Sequence, residues 1–212
     1  PFIVGDVLMS VRSEILGWIA ARAGDIITDT SDVIDVADRV AGAAALDAAA
    51  FAAELLDLGR VLGESVRTPD AFGQLLLLPD FDTDTGRDGV VLLSAVAMAI
   101  AIGRVAWPSR PAARKARTSF IDRAHAAYGV TAQLGPDLHM WLSALVGTAV
   151  RLVSDLAANA TPMVRVDSGV SLPSTVIAYQ MYGDAKRAAG LVDISGSATP
   201  MIMPAGFEAL AS

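Results

Sequence analysis

Four carboxylates, Asp80, Asp82, Asp84 and Asp88, alternate through a turn around Gly86 in this chain of 212 residues. Alternating acids in a turn suit calcium, which takes six to eight oxygen ligands. The spacing departs from an EF-hand twice. Gly86 falls one residue late, and the twelfth position counted from Asp80 is Val91, where a bidentate Glu is needed. An ordinary acidic loop is therefore the expectation, with calcium the weaker alternative. The two histidines, His125 and His139, are fourteen residues apart, without the HExxH context of a metal site, and the chain has no cysteine. That excludes zinc held by thiolates and any disulfide framework. No serine sits in a G-x-S-x-G elbow, and no glycine-rich run could cradle a phosphate. Without a nucleophile, a base and an orienting group in one pattern, the chain reads as a non-enzyme that needs no cofactor.

Charge gives two further candidate features. Arg104, Arg110, Arg114, Lys115, Arg117 and Arg123 have one nearby acid, Asp122, so this segment carries about +5 (six cations less one anion). Within it, Arg110, Arg114, Lys115 and Arg117 form the candidate patch for nucleic acid or an acidic partner, and a solvated helix face is the plainer reading. Upstream, Asp25, Asp29, Asp32, Asp35 and Asp38 recur every three or four residues, as an acidic stripe on one helical face would. The stripe is expected to meet solvent or a neighbouring subunit. A formal charge of −7 argues against general nucleic-acid binding, because neutralising phosphates takes clustered Lys and Arg.

These residues must be positioned by helices. Alanine accounts for 39 of the 212 residues, aromatics for 6% and charged residues for 18%, a composition that points to helices packed closely on small side chains. Mean hydropathy is +0.49, high for a soluble chain, so the chain either touches a membrane or buries surface in an assembly. The most apolar stretch, residues 89–103, is shorter than the ~20 residues needed to span a bilayer, so a buried core helix is expected there and no stable transmembrane span. The start lacks the basic residues of a signal peptide; its first-position proline fits removal of an initiator methionine and equally a fragment of a longer chain.

Periodicity divides the chain into a helical domain, residues 1–162, and a smaller module, residues 163–212. Val7, Leu8, Val11, Ile15, Trp18 and Ile19 predict a first helix to about Ala23, and Ser31 is placed to cap the next, which loosens at Gly42. Phe51, Leu55, Leu58, Leu62 and Val66 predict a third helix ending before Pro69, followed by a short apolar turn over 72–78. The polar loop 80–88 then leads to the buried helix over 90–106. A helix over 112–131 carries the basic residues. Another starts at Pro136-Asp137 and runs to about Ala160, with Leu138, Trp141, Leu142, Leu145, Ala149, Leu152, Val153 and Leu156 on its apolar side. Val164 and Val166 alternate with Arg165 and Asp167 as a strand would. A helix over 175–182, a left-handed Gly183, an Asp184 cap, a helix over 185–192 and a closing strand before Leu210 complete a β-α-α-β order. The fold class is thus mainly α: an Ala-rich helical body followed by a small α+β module.

The run Leu172-Pro-Ser-Thr-Val-Ile-Ala-Tyr-Gln-Met-Tyr-Gly-Asp184, with Pro204-Ala-Gly206 some twenty residues on, resembles the C-terminal end of the phage Mu-type DNA circularisation (circulation) proteins of contractile-tailed phages. Pro173, Ser174, Ala178, Tyr179, Tyr182, Gly183 and Asp184 match the first part of the family pattern, and Pro200, Pro204 and Gly206 the second. Ser195 and Thr199 stand where that family usually has Asn and His, and Met201 replaces a Gly. The resemblance covers roughly residues 110–212. The same tail is remotely similar to a LysM module, in which a β-α-α-β fold docks proteins in phage baseplates or binds peptidoglycan. Tyr179 and Tyr182, three apart on one helix, are expected to pack at the core edge rather than stack on a sugar.

The resemblance implies a structural component of a contractile phage tail, or of a phage-like particle, in the baseplate region of the virion and made in the bacterial cytoplasm. Its implied partners are other tail proteins (hub, tube, wedge) and copies of itself, docked through Pro173, Ser174, Ala178, Tyr179, Tyr182, Gly183, Asp184, Pro204 and Gly206. The family name suggests a second function, a DNA-end-binding protein that holds the genome circular through the basic segment. A third is a peptidoglycan-binding LysM protein.

Overall fold

A computed structural model describes the backbone of residues 2–211 and the side chains of residues 9–211, so Val7 and Leu8, placed above on the first apolar face, lie outside the described side chains. The chain is mainly helical, with one two-stranded sheet near its C-terminal end. It divides into two compact units: Pro1–Trp107 with Arg114–Leu156, and Pro108–Ala113 with Ala157–Ser212.

The first unit begins with α1 (Phe2–Ile26), α2 (Thr30–Ala43), α3 (Ala48–Ser65), α4 (Pro69–Gln74) and α5 (Asp84–Ala101). Short polar side chains set the start of each later helix by accepting otherwise unpaired N–H groups. Asp29 caps α2 by accepting from Ser31 and Asp32 N–H, Asp47 caps α3 at Ala50, Thr68 caps α4 at Ala71, and Thr83 caps α5 at Gly86. The cap of α2 is therefore Asp29 and not Ser31, and that helix continues past Gly42 to Ala43. The acidic stripe is also divided: Asp25 belongs to the end of α1, Asp29 is a cap, and only Asp32, Asp35 and Asp38 lie within α2. Helix α1 runs three residues beyond Ala23.

Helix α5 is the axis of this unit. Val90, Val91, Leu93, Ala95, Val96, Ala97, Met98, Ala99 and Ala101 are all buried, so the helix is apolar around nearly its whole circumference. It packs on α3 and α1. Gly59 and Gly63 of α3 make the approach close enough: a Cβ on Gly63 would stand 2.6 Å from the Ala97 carbonyl oxygen, and one on Gly59 would stand 2.4 Å from Leu93 Cδ1. Ala116, Phe120, Ala124 and Ala127 of α6 (Arg110–Leu134) and Leu142, Val146, Ala149 and Val153 of α7 (Pro136–Asn159) belong to the same core. The helices turn back at Gly135, which sits at φ 132°, a conformation that side chains other than hydrogen disfavour.

After α4, side chains from three helices donate to four consecutive carbonyls, of which Gln74 O also accepts from Leu77 N–H (3.1 Å). Arg22 donates to Gln74 O (3.3 Å), Ser94 to Leu75 O (2.6 Å), Arg123 to Leu76 O (2.7 Å) and the Trp18 indole to Leu77 O (2.9 Å). Segment 74–77 thereby ties α1, α5 and α6 together.

The second unit has the order β1 (Met163–Asp167), α8 (Ser174–Tyr182), a 3-10 turn at Ala185–Arg187, α9 (Ala188–Ser195) and β2 (Gly206–Leu210). The strands are antiparallel, pairing Met163 with Leu210 through to Asp167 with Gly206. Its own small core gathers Ile177, Ala178, Ala188, Leu191, Met203, Phe207 and Ala209. The unit takes in more than residues 163–212, because Arg110 N–H donates to Thr161 O and the Arg110 guanidinium to Ala158 O. The helix read over 185–192 is a 3-10 turn followed by an α-helix that extends to Ser195.

Candidate functional site

The motif residues 173–184 build the centre of the C-terminal unit. Pro173, with φ −61° and ψ 144°, sets the entry into α8, and Ser174 is buried behind it. Ser174 N–H donates to Pro200 O (2.8 Å) and Met203 N–H to Leu172 O (3.0 Å), so the two loops flanking the helices are strapped side by side. Ala178 and Ile177 point into the small core. Gly183 ends α8 at φ 69°, its N–H returning to Tyr179 O (2.9 Å), and Asp184 accepts from Lys186 N–H (2.9 Å) to start the next turn. Gly183 has the left-handed conformation that glycine adopts without strain.

The two tyrosines divide. Tyr182 packs at the core edge, donates its hydroxyl to Leu210 O (3.0 Å) and carries the Arg187 guanidinium 3.8 Å over its ring. Tyr179 is 65% exposed, which corrects the expectation that both pack inward. Three residues on a helix span about 300° of rotation, so the pair straddles the edge of the packed face. Beyond the motif, Met201 (69% exposed) and Ile202 (64% exposed) stand in the loop before β2, and Val170 and Val176 are exposed near the start of α8. Pro204 lies in the same loop and Gly206 opens β2, where Arg165 Nη2 would lie 3.5 Å from a Cβ at that position. Reading the motif did not single out Met203, the fully buried residue that anchors this loop; its flanking Met201 and Ile202 are as apolar, so hydropathy alone could not separate them.

The basic segment does not form one free cationic face. Arg104 pairs with Glu64 (3.5 Å), Arg110 donates to Ala158 O (3.0 Å), Arg117 donates to Ser154 Oγ (3.2 Å), and Arg123 is half-buried on Leu76 O. Burial holds the Arg123 guanidinium below its ordinary pKa. Arg114 and Lys115 remain exposed. Four of these six cations thus have an intramolecular partner: two carbonyls, one hydroxyl and one carboxylate.

The acidic loop is also organised by other means than a cation. The Glu14 carboxylate of α1 accepts from Asp82 N–H (2.8 Å), Thr83 N–H (3.1 Å) and Thr83 Oγ1 (2.6 Å). Asp84 and Asp88 belong to α5, which starts six residues earlier than expected and ends at Ala101 instead of 106, and Asp84 pairs with Arg87 (3.5 Å). The four acids are therefore split between a loop and a helix, and among the described residues no three metal-ligating side chains gather at one point. His139 meets Thr131 Oγ1 through Nδ1 (3.0 Å) and stacks obliquely on Tyr128 (5.4 Å), while His125 is exposed.

On α7 the buried stripe is Leu142, Val146, Ala149 and Val153, whereas Trp141 (43%) and Leu152 (45%) of the expected apolar side are exposed. By length and composition this helix, and not residues 90–106, is the one among the described residues long and apolar enough to cross a membrane. Open grooves of about 370 to 410 Å³ flank α1, the α4–α5 connection and the α2–α3 pair, and each is lined by both apolar and charged side chains. No protein-family model and no curated protein matches this chain.

Proposed function

We propose that this chain is a structural component of a contractile phage tail or phage-like particle, located in the virion near the baseplate or hub. It acts by protein–protein assembly with other tail proteins and with copies of itself. The observation that carries the proposal is the motif of Pro173, Ser174, Ala178, Tyr179, Tyr182, Gly183 and Asp184 with Pro204 and Gly206, which resembles the circularisation-protein family of such tails. Ala178 and Tyr182 of the motif pack in or against the core of a small separate unit, while Tyr179 of the motif and the neighbouring Met201 and Ile202 stay outside. Exposed large apolar side chains on a small unit are the material of a docking surface. In this reading the unit is a LysM-like docking module.

Tyr179 favours one second reading, in which the same module binds peptidoglycan, because an outward aromatic ring can stack on a sugar. The DNA-binding alternative draws little support from the basic segment, since Arg104, Arg110, Arg117 and Arg123 each have an intramolecular partner. Purified particles test the proposal: the chain should be present at a fixed number of copies per tail. Its absence from particles, combined with monomeric behaviour in solution, would overturn it. A pulldown of the full chain on purified peptidoglycan separates the second reading.

A further inference from the structure

The register of the C-terminal sheet determines which backbone groups of β1 face outward. Ala211 N–H donates to Pro162 O, and Ser168 N–H donates to Ala205 O. Both pairs continue the antiparallel register that matches Val164 with Ala209 and Val166 with Phe207. Hydrogen-bonded and non-hydrogen-bonded pairs alternate along such a ladder. Residues 162, 164, 166 and 168 therefore point their peptide groups at β2, and Arg165 and Asp167 point theirs away. Among the described residues, no backbone hydrogen bond from outside the strand pair reaches Arg165 or Asp167. Both side chains are exposed, and being two apart they share one face of the strand, opposite the face on which Val166 packs against the small core.

Edge strands are commonly blunted by charged side chains, by proline or by a covering element. The two charges on this edge are opposite in sign and two residues apart, an arrangement that complements itself in an antiparallel pair. We propose that β1 pairs antiparallel with β1 of a second copy of this chain, about a two-fold axis at Val166, to make a four-stranded sheet across two chains. In this register Arg165 of each copy stands directly opposite Asp167 of the other, on the same face, and the outward N–H and C=O groups of both residues meet their counterparts. Sliding the register by two residues either way sets Arg165 against Arg165 or Asp167 against Asp167, and like charges directly opposite oppose pairing. The outer edge of β2 offers no such match: Gly206, Glu208 and Leu210 are its outward residues, and Leu210 O already accepts from the Tyr182 hydroxyl. One carboxylate oxygen of Asp167 accepts from Gly169 N–H (3.1 Å), which steadies the side chain at the strand end.

The contact is small, so it is weak between free chains and strengthens where several chains are held together. It stands whether or not the chain belongs to a phage tail. Sedimentation velocity on the full chain over a concentration series tests it, with wild type, Arg165→Asp, Asp167→Arg and the double variant Arg165→Asp/Asp167→Arg. Wild type should dimerise reversibly. Each single variant should weaken the dimer by about tenfold, because two attractive pairs become repulsive by symmetry, and the double variant should recover it. Circular dichroism should be the same for all four, since both side chains are exposed. Wild type that stays monomeric, or single variants that associate as wild type does, would overturn the proposal.

Discussion

Glu14 illustrates how a residue without a motif can organise a distant loop. Its carboxylate collects three donors from Asp82 and Thr83, sixty-eight and sixty-nine residues away, and a Cβ at Gly86 would come within 1.7 Å of its Oε2. Glu14→Ala should destabilise the fold by about 1–3 kcal/mol, the cost of leaving the two partly buried Thr83 donors unpaired. Gly86→Ala displaces the same carboxylate, so on the Glu14→Ala background its cost should shrink; urea titrations of the four chains would show this non-additivity. Calcium should leave the melting temperature unchanged, because Asp84 and Asp88 are helical and Glu14, not a cation, holds the loop. Thermal melts with and without calcium check this. Arg39 and then Arg60 hold the Asp57 carboxyl below its ordinary pKa. A carboxyl depressed by folding contributes stability that is complete above the unfolded value, near pH 3.9, and that fades as pH falls through the folded value. Asp57→Asn should therefore cost stability at neutral pH and flatten the decline in acid, as urea midpoints across the pH range would show. The sequence marked Asp80 to Asp88 for their chemistry, yet it contained no sign of Glu14, since a side chain's partner across sixty-eight residues leaves no local pattern.

At the level of elements, periodicity and breakers located the longer helices with errors at their ends, whereas the segment read as a short apolar turn over 72–78 begins within helix α4, Pro69–Gln74. The buried helix expected over 90–106 was legible because residues 89–103 lack charge, but the first turn of α5 is polar, and Thr83 with Gly86 reads as loop until the cap is seen. On α7, apolar spacing identified the helix and its core residues but could not say that Trp141 and Leu152 fall to the outer side, because the stripe is narrower than its apolar content. The pairing of α3 with α5 was invisible, since Gly59 and Gly63 look like helix weaknesses until the facing backbone is in place. Gly63→Ala should cost about 1–3 kcal/mol through overpacking, more than the small gain in helix propensity returns, because the Ala97 carbonyl that it meets is backbone and cannot rotate away. Gly42→Ala, on an open face of α2, should be neutral or slightly stabilising. Chemical denaturation of the two variants makes the comparison.

For the whole molecule, a mean hydropathy of +0.49 is only partly absorbed by folding. Helix α5 is enclosed, but Tyr179, Met201, Ile202, Trp141 and Leu152 remain outside the two cores. Surface of this kind suits a protein kept in permanent contact with others. The change of periodicity at residues 161–167 lies inside the C-terminal unit, and the unit's use of 108–113 was not legible, because that contribution rests on Arg110 reaching carbonyls some fifty residues on. Assembly into tails is tested by quantitative mass spectrometry of purified tails, with the chain counted against a tail protein of known copy number. A fixed whole-number ratio that survives high salt is expected. A chain missing from the particles, or present at a ratio that varies between preparations, would contradict it.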